Sequence, residues 1–284
     1  MDKYQIKHIT NNLYRKLKKH VKNVAEDFDV EAIHQFRVEY KKLRAFLRML
    51  SQQEEEAGEI NISKTLKKAY TISGSVRDLQ LQQPRMEEAT RQEQKKPQAY
   101  FILLQKEIEK LKPELSEILS DNPVNGSKKK TDAAIPNEFS LDSFKNFVQQ
   151  KWAAVYAIIR SGHFSDDNVH EIRKNLKDLF YNVKPYKGTE YEILSVSILK
   201  GKDEKYFTRL LEELGSFQDR CVAIALLKSY WIVSLNTYNR ELLDRVKKMW
   251  LKDKLRMKQL LVKKMKAEIA WQAAVHHIIS SKRY

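Results

Sequence analysis

Residues 33–50, IHQFRVEYKKLRAFLRML, decide how the chain is read. On an α-helix Ile33, Phe36, Tyr40, Leu43, Leu47 and Leu50 form one apolar stripe at three- and four-residue spacing. His34, Arg37, Lys41, Arg44 and Arg48 form a second stripe with the same spacing. At 3.6 residues per turn the two stripes lie roughly 110° apart, side by side rather than opposite. A solubilising face would lie opposite the packing face. A cationic row flanking a packing seam points along a groove between helices. The row stacks like charge over about 21 Å of helix, which is mildly destabilising unless an anion relieves it.

The chain has 284 residues, with only 7 Gly and 6 Pro, so turn chemistry for a β-rich fold is scarce. Lys and Arg number 53 against 37 acids, a net charge of +16, which calls for a polyanionic partner such as nucleic acid, an anionic membrane surface or a polyphosphate. The single Cys221 rules out an internal disulfide and a multi-cysteine metal site, and suits a reducing compartment. The start, MDKYQIKHIT, lacks the apolar run of a signal peptide, and no run of roughly 18 or more apolar residues occurs. A cytoplasmic protein is expected.

Periodicity predicts helices over about 2–27, 30–52 with Asp29 as N-cap, and 60–82 with Pro84 at its end. A further helix is expected to about 119, with a kink or break at Pro113. Residues 121–139, rich in Pro, Gly, Asn, Ser and Lys, read as an exposed flexible linker between units 1–120 and 140–284. Helical signal resumes over about 140–160, closed by Gly162, and over 168–184, capped by Asp166 or Asp167. Helices over about 190–200, 203–215, 217–238 and 240–279 complete the reading. In the last of these Lys248, Lys252, Arg256, Lys263 and Lys266 fall near one side.

The opening stretch recurs. In VHEIRKNLKDLFYNVK, residues 169–184, His170 falls on His34, Arg173 on Arg37, Lys177 on Lys41 and Lys184 on Arg48, whereas Phe180 replaces Arg44. Downstream, GSVRD (74–78) matches GSFQD (215–219), and Lys64 and Lys68 match Lys205 and Arg209. Two weak signals recurring in one order mark a duplicated helical unit.

These motifs, HQFRVEYKKLRAFLRML with VRDLQ and HEIRKNLKDLF with LGSFQD, resemble the CHAD family (conserved histidine α-helical domain) over nearly the whole chain. The resemblance implies an all-α fold of two pseudo-symmetric antiparallel bundles, about four helices each, around a basic central groove. It also implies binding of inorganic polyphosphate, often at polyphosphate granules. The family pattern carries onto His34, Arg37, Lys41, Lys42 and Arg44, and onto His170, Arg173 and Lys177; Lys42 points away from the stripe by helical geometry. Two arginine positions are lysine here, which keeps charge and loses the bidentate fork. Asp178 and Phe180 depart from the basic pattern, making the second half the weaker contributor.

The candidate polyphosphate-binding residues are therefore His34, Arg37, Lys41, Arg44, Arg48, Lys64, Lys68, Arg77, His170, Arg173, Lys177, Lys205 and Arg209. Arg and Lys make charge-assisted hydrogen bonds to phosphate oxygens. Either histidine could contact ligand or pack between helices. Asp78 and Asp219 read as residues that orient an Arg or cap a helix, and Gly74 and Gly215 as sites of close helix packing or bending. No catalytic residue, cofactor or metal site is expected: HEIRK lacks the second His of a zinc helix, and EYEIL at 190–194 lacks companion strands. Nucleic acid remains the competing ligand, with Tyr181, Tyr186, Trp250 and Trp271 available to stack on bases. A scaffold that recruits partners to granules is a further alternative. A membrane-surface role for 240–279 is the least favoured, because its apolar face suits closing a bundle.

Overall fold

The computed structural model describes residues 1–52, 60–183, 204–227 and 229–281, the side chains of 229 and 268–281 excepted. The helices expected at 190–200 and the positions Lys184, Tyr186 and Trp271 lie outside this description. The described chain is all-α: α1 (Lys3–Asp27), α2 (Val30–Leu50), α3 (Lys64–Ala89), α4 (Gln98–Ser120), α5 (Pro123–Ala134), α6 (Leu141–Ser161), α7 (Asp166–Val183), α8 (Glu204–Ala225), α9 (Ser229–Val233) and α10 (Thr237–Ser281).

The ends of these helices follow from their caps. Asp2 accepts from Gln5 N and opens α1 in a capping box, and Asp29 accepts from Glu31 N and Ala32 N to open α2. Ser63 and Ser140 open α3 and α6 in the same way. Gly162, at φ +67°, closes α6 in the left-handed region that favours glycine. At α7 the cap is Ser165, whose Oγ accepts from Asn168 N, rather than either aspartate.

Three expectations are corrected. Residues 123–134 form α5, with Pro123 in its first turn, instead of an exposed linker. Its Ser127 and Thr131 are fully buried and their hydroxyls meet Tyr14 Oη at 3.1 and 2.7 Å, pinning α5 to α1. Neither Pro84 nor Pro113 ends its helix. Both prolines are exposed, so water can reach the carbonyls they leave unpaired. On the inner side of α3, buried Gln82 donates to Ala223 O across the molecule at 3.0 Å. The break expected within α8 is also absent, and Gly215 lies inside a continuous helix.

In space α1 packs on α2, α3 on α4, α6 on α7, and α8 on α10. The two signature helices, α2 and α7, lie against each other, and α3 meets α8. The buried apolar side chains form one cluster running from Ile6 in α1 to Met265 in α10.

Candidate functional site

The apolar stripes of α2 and α7 do what their spacing dictates: Ile33, Phe36, Tyr40, Leu43 and Leu47, and Val169, Ile172, Leu176 and Leu179, are all at most 2% exposed. Fixing those faces aims the neighbouring cationic stripes at the seam between the helices. Burial pushes the Lys41 ammonium down to about 7, and Lys177, Arg37, Arg173 and Arg44 add repulsion. Burial likewise lowers Lys177 to about 8, with Arg173 repelling it and Asp219 partly offsetting. Cations from both halves of the sequence therefore act on one another across α2 and α7.

The arginines are seated by aromatic rings and glycines. Arg37 donates from Nη1 to Tyr70 O at 2.5 Å, and its Cζ lies 4.3 Å above the Tyr70 ring centroid. Arg44 lies over Tyr40 and Tyr70, which stack on each other at 4.1 Å. A Cβ at Gly74 would stand 2.6 Å from Arg37 Cζ, so the missing side chain is where the guanidinium passes. The second half repeats the seat more loosely, with Arg173 Nη2 3.4 Å from the corresponding point on Gly215. Arg44 Nε and Arg173 Nε are buried and have no hydrogen-bond acceptor.

The glycine motifs also meet the histidines. Burial lowers the His34 pKa, followed by repulsion from Arg77, with Glu31 opposing and Lys41 and Lys177 adding to it. His170 holds Gln218 Oε1 at 2.8 Å through Nδ1, and burial is again the main reason its pKa falls. Arg77 and Gln218 occupy matching positions of GSVRD and GSFQD. The aspartates of those motifs face arginines: burial raises the Asp78 pKa against the pull of Arg37 and Arg85, and Asp219 lies 3.8 Å from Arg85. Each HxxR motif thus docks on the glycine motif of its own half.

A family model for the CHAD domain matches residues 8–228. The chain belongs to the CHAD family. In fold, this CHAD protein is similar to the crystal structure of the CHAD domain from the plant Ricinus communis, with a TM-score of 0.64 and 17% identity over 93% of this chain and 90% of the other. A comparison with curated proteins returned no match.

Not every candidate reaches the seam of this CHAD domain. Arg48 is held by the nearly buried Asp178 at 2.6 Å, and Lys151 reaches the other oxygen of that carboxylate at 3.0 Å. Arg48 therefore spends part of its charge on linking α2 to α7. Lys68 is exposed and pairs with Glu114 of α4 at 2.8 Å. Lys64, Lys205 and Arg209 are exposed on the first two turns of α3 and α8. None of these four figures among the charges that shift Lys41, Lys177, His34 or His170. Arg77 donates to Val30 O, which ties it to the start of α2 beside His34. Lys42 turns to Glu39 of its own helix. Tyr70 and Arg85 belong to the site although their spacing did not single them out. Among the described residues no group of three or more His, Cys, Asp or Glu side chains is placed to hold a metal ion, and no helix is long and apolar enough to cross a membrane.

Proposed function

We propose that this CHAD protein binds inorganic polyphosphate, without catalysis, along the cationic seam between α2 and α7, and associates through it with polyphosphate granules. The observation that carries this reading is the convergence of Arg37, Lys41, Arg44, Arg173 and Lys177, two of whose guanidinium Nε atoms lack an acceptor. A chain of phosphates would replace their mutual repulsion by charge-assisted hydrogen bonds and restore the proton that Lys41 sheds in isolation. His34 and His170 flank the seam and, once protonated beside phosphate, would become donors themselves. The glycine-motif carboxylates Asp78 and Asp219 lie in the field of Arg37, Arg85 and Arg173, which suits orienting the arginines rather than acid–base work.

The nucleic-acid reading receives less support. Trp250 is 2% exposed beneath Arg220, and the half-buried Tyr181 ring is covered by Lys177 at 5.5 Å, so neither is free to stack on a base.

The test compares long-chain polyphosphate with single- and double-stranded DNA at matched salt. Polyphosphate is expected to bind tighter, and Arg37→Ala with Arg173→Ala is expected to weaken it while far-UV circular dichroism stays unchanged. Equal or tighter DNA binding, or an unchanged affinity in the double variant, would overturn the proposal.

A further inference from the structure

The cations of α10 divide by face. Those turned toward the bundle are neutralised: Lys254 and Lys258 grip Asp166 of α7 at 2.6 and 2.7 Å, and Lys264 grips Glu213 of α8 at 2.8 Å. The one acid between 248 and 266, Asp253, faces Arg220 of α8 at 3.8 Å. On the outer face Lys248, Lys252, Arg256, Lys263 and Lys266 are exposed, and they fall within an arc of about 80° over about 27 Å of helix. Among the described residues no acid pairs with Lys248, Lys252, Arg256 or Lys263. Lys266 lies over the Phe164 ring at 5.7 Å.

The outer face of α10 is therefore a straight, uncompensated cationic rail, set apart from the seam and C-terminal to the stretch matched by the family model. Its flanks carry exposed Met249, Leu251, Leu255 and Leu260, and the ring that meets it among the described residues, Phe164, is half-buried under Lys266. A polymer that needs stacking finds no platform there, whereas a polymer of bare phosphates needs none. We infer that this rail is a second docking track for linear polyphosphate, so that one long chain engages the seam and the rail, or bridges two molecules. The inference rests on the polyphosphate reading of the seam for its choice of ligand. A chain held at two places gains affinity by effective concentration, a gain that short chains cannot share.

The test uses the full chain and a variant with Lys248, Lys252, Arg256 and Lys263 each changed to Gln. A control variant has Lys16, Lys18, Lys19 and Lys22 of α1, also exposed, changed to Gln, for the same loss of net charge. Each is titrated with tripolyphosphate and with long-chain polyphosphate across a salt series. The rail variant is expected to keep its tripolyphosphate affinity, to lose about tenfold or more for the long chain, and to show a salt slope shallower by about 0.7 per lost contact. The control is expected to lose much less. Long-chain affinity unchanged in the rail variant, or an equal loss in the control, overturns the rail and leaves the seam standing. Loss of binding to anionic phospholipid vesicles with polyphosphate binding intact also overturns it, in favour of a membrane surface. If the parent binds neither polyphosphate, the seam reading fails and the rail with it. If the rail variant alone loses binding while the Arg37 and Arg173 double variant keeps it, the seam fails and the rail stands.

Discussion

Changing Gly74 to Ala should unseat one arginine while its counterpart change at Gly215 does not. The new methyl carbon would stand 2.6 Å from Arg37 Cζ and 2.8 Å from Nη2, whereas at Gly215 the nearest atom, Arg173 Nη2, is at an ordinary 3.4 Å. The guanidinium is the far end of a flexible side chain, so it moves and the backbone stays. Moving it breaks the hydrogen bond to Tyr70 O and the stacking over the Tyr70 ring. A charged hydrogen bond contributes about 1.5–3 kcal/mol and an exposed-to-buried cation–π contact about 0.5–2 kcal/mol. Replacing a mid-helix glycine by alanine returns about 1 kcal/mol of helix propensity. Gly74→Ala should therefore cost about 1–4 kcal/mol net and weaken polyphosphate binding, and Gly215→Ala should be neutral or stabilise by up to about 1 kcal/mol. Urea titration followed by circular dichroism and a polyphosphate titration of both variants read the two effects separately. Equal stabilities and affinities for the two variants would refute the glycine seat.

Three further outcomes follow from the same geometry. Because Lys41 and Lys177 are lowered to about 7 and about 8 by burial and like charge, a bound polyanion must raise them again; affinity should be greatest below pH 7 and fall as pH rises through 7–9, with proton uptake on binding near pH 8 measurable by calorimetry in buffers of different ionisation enthalpy. The same depressed lysines mean that the unfolded chain binds more protons above pH 7, so stability of the free protein should rise from pH 7 toward 9, and a flat urea midpoint over that range would count against a buried cationic seam. Asp178→Asn leaves Arg48 and Lys151 without their shared carboxylate; a loss of about 2–4 kcal/mol is expected in urea titration, together with tighter long-chain polyphosphate binding as Arg48 is released.

Helix class and the faces of α2 and α7 were legible because each needs only spacing within one segment: an apolar residue every three or four positions fixes what is buried, and the cationic stripe beside it is then aimed without further information. What stayed hidden depends on partners distant in sequence. Residues 123–134 have the composition of a linker, and partners distant in sequence make a packed helix of them: the Tyr14 hydroxyl on α1 takes up Ser127 and Thr131, and Ser63 N at the start of α3 donates to Ser127 Oγ. Pro84 reads as a stop and Pro113 as a kink or break because a proline removes a helical hydrogen bond, yet each sits on an exposed face where water can take its place. Tyr70 looks like an ordinary inward position of α3, and becomes a seat for Arg37 and Arg44 only when α3 lies on α2. Asp178, read as a gap in the basic pattern, draws Arg48 away from the seam.

The recurring order of the motifs has a physical reason in this arrangement. At Gly74 a Cβ would stand where the Arg37 guanidinium passes, whereas at Gly215 the Arg173 guanidinium keeps an ordinary distance from that point. Asp78 and Asp219 lie in the field of these arginines. In the first half, each motif is therefore a constraint on the other. The close approach that Gly74 permits is filled by a guanidinium, and it lets Arg37 be buried deeply enough to act on Lys41 in the seam.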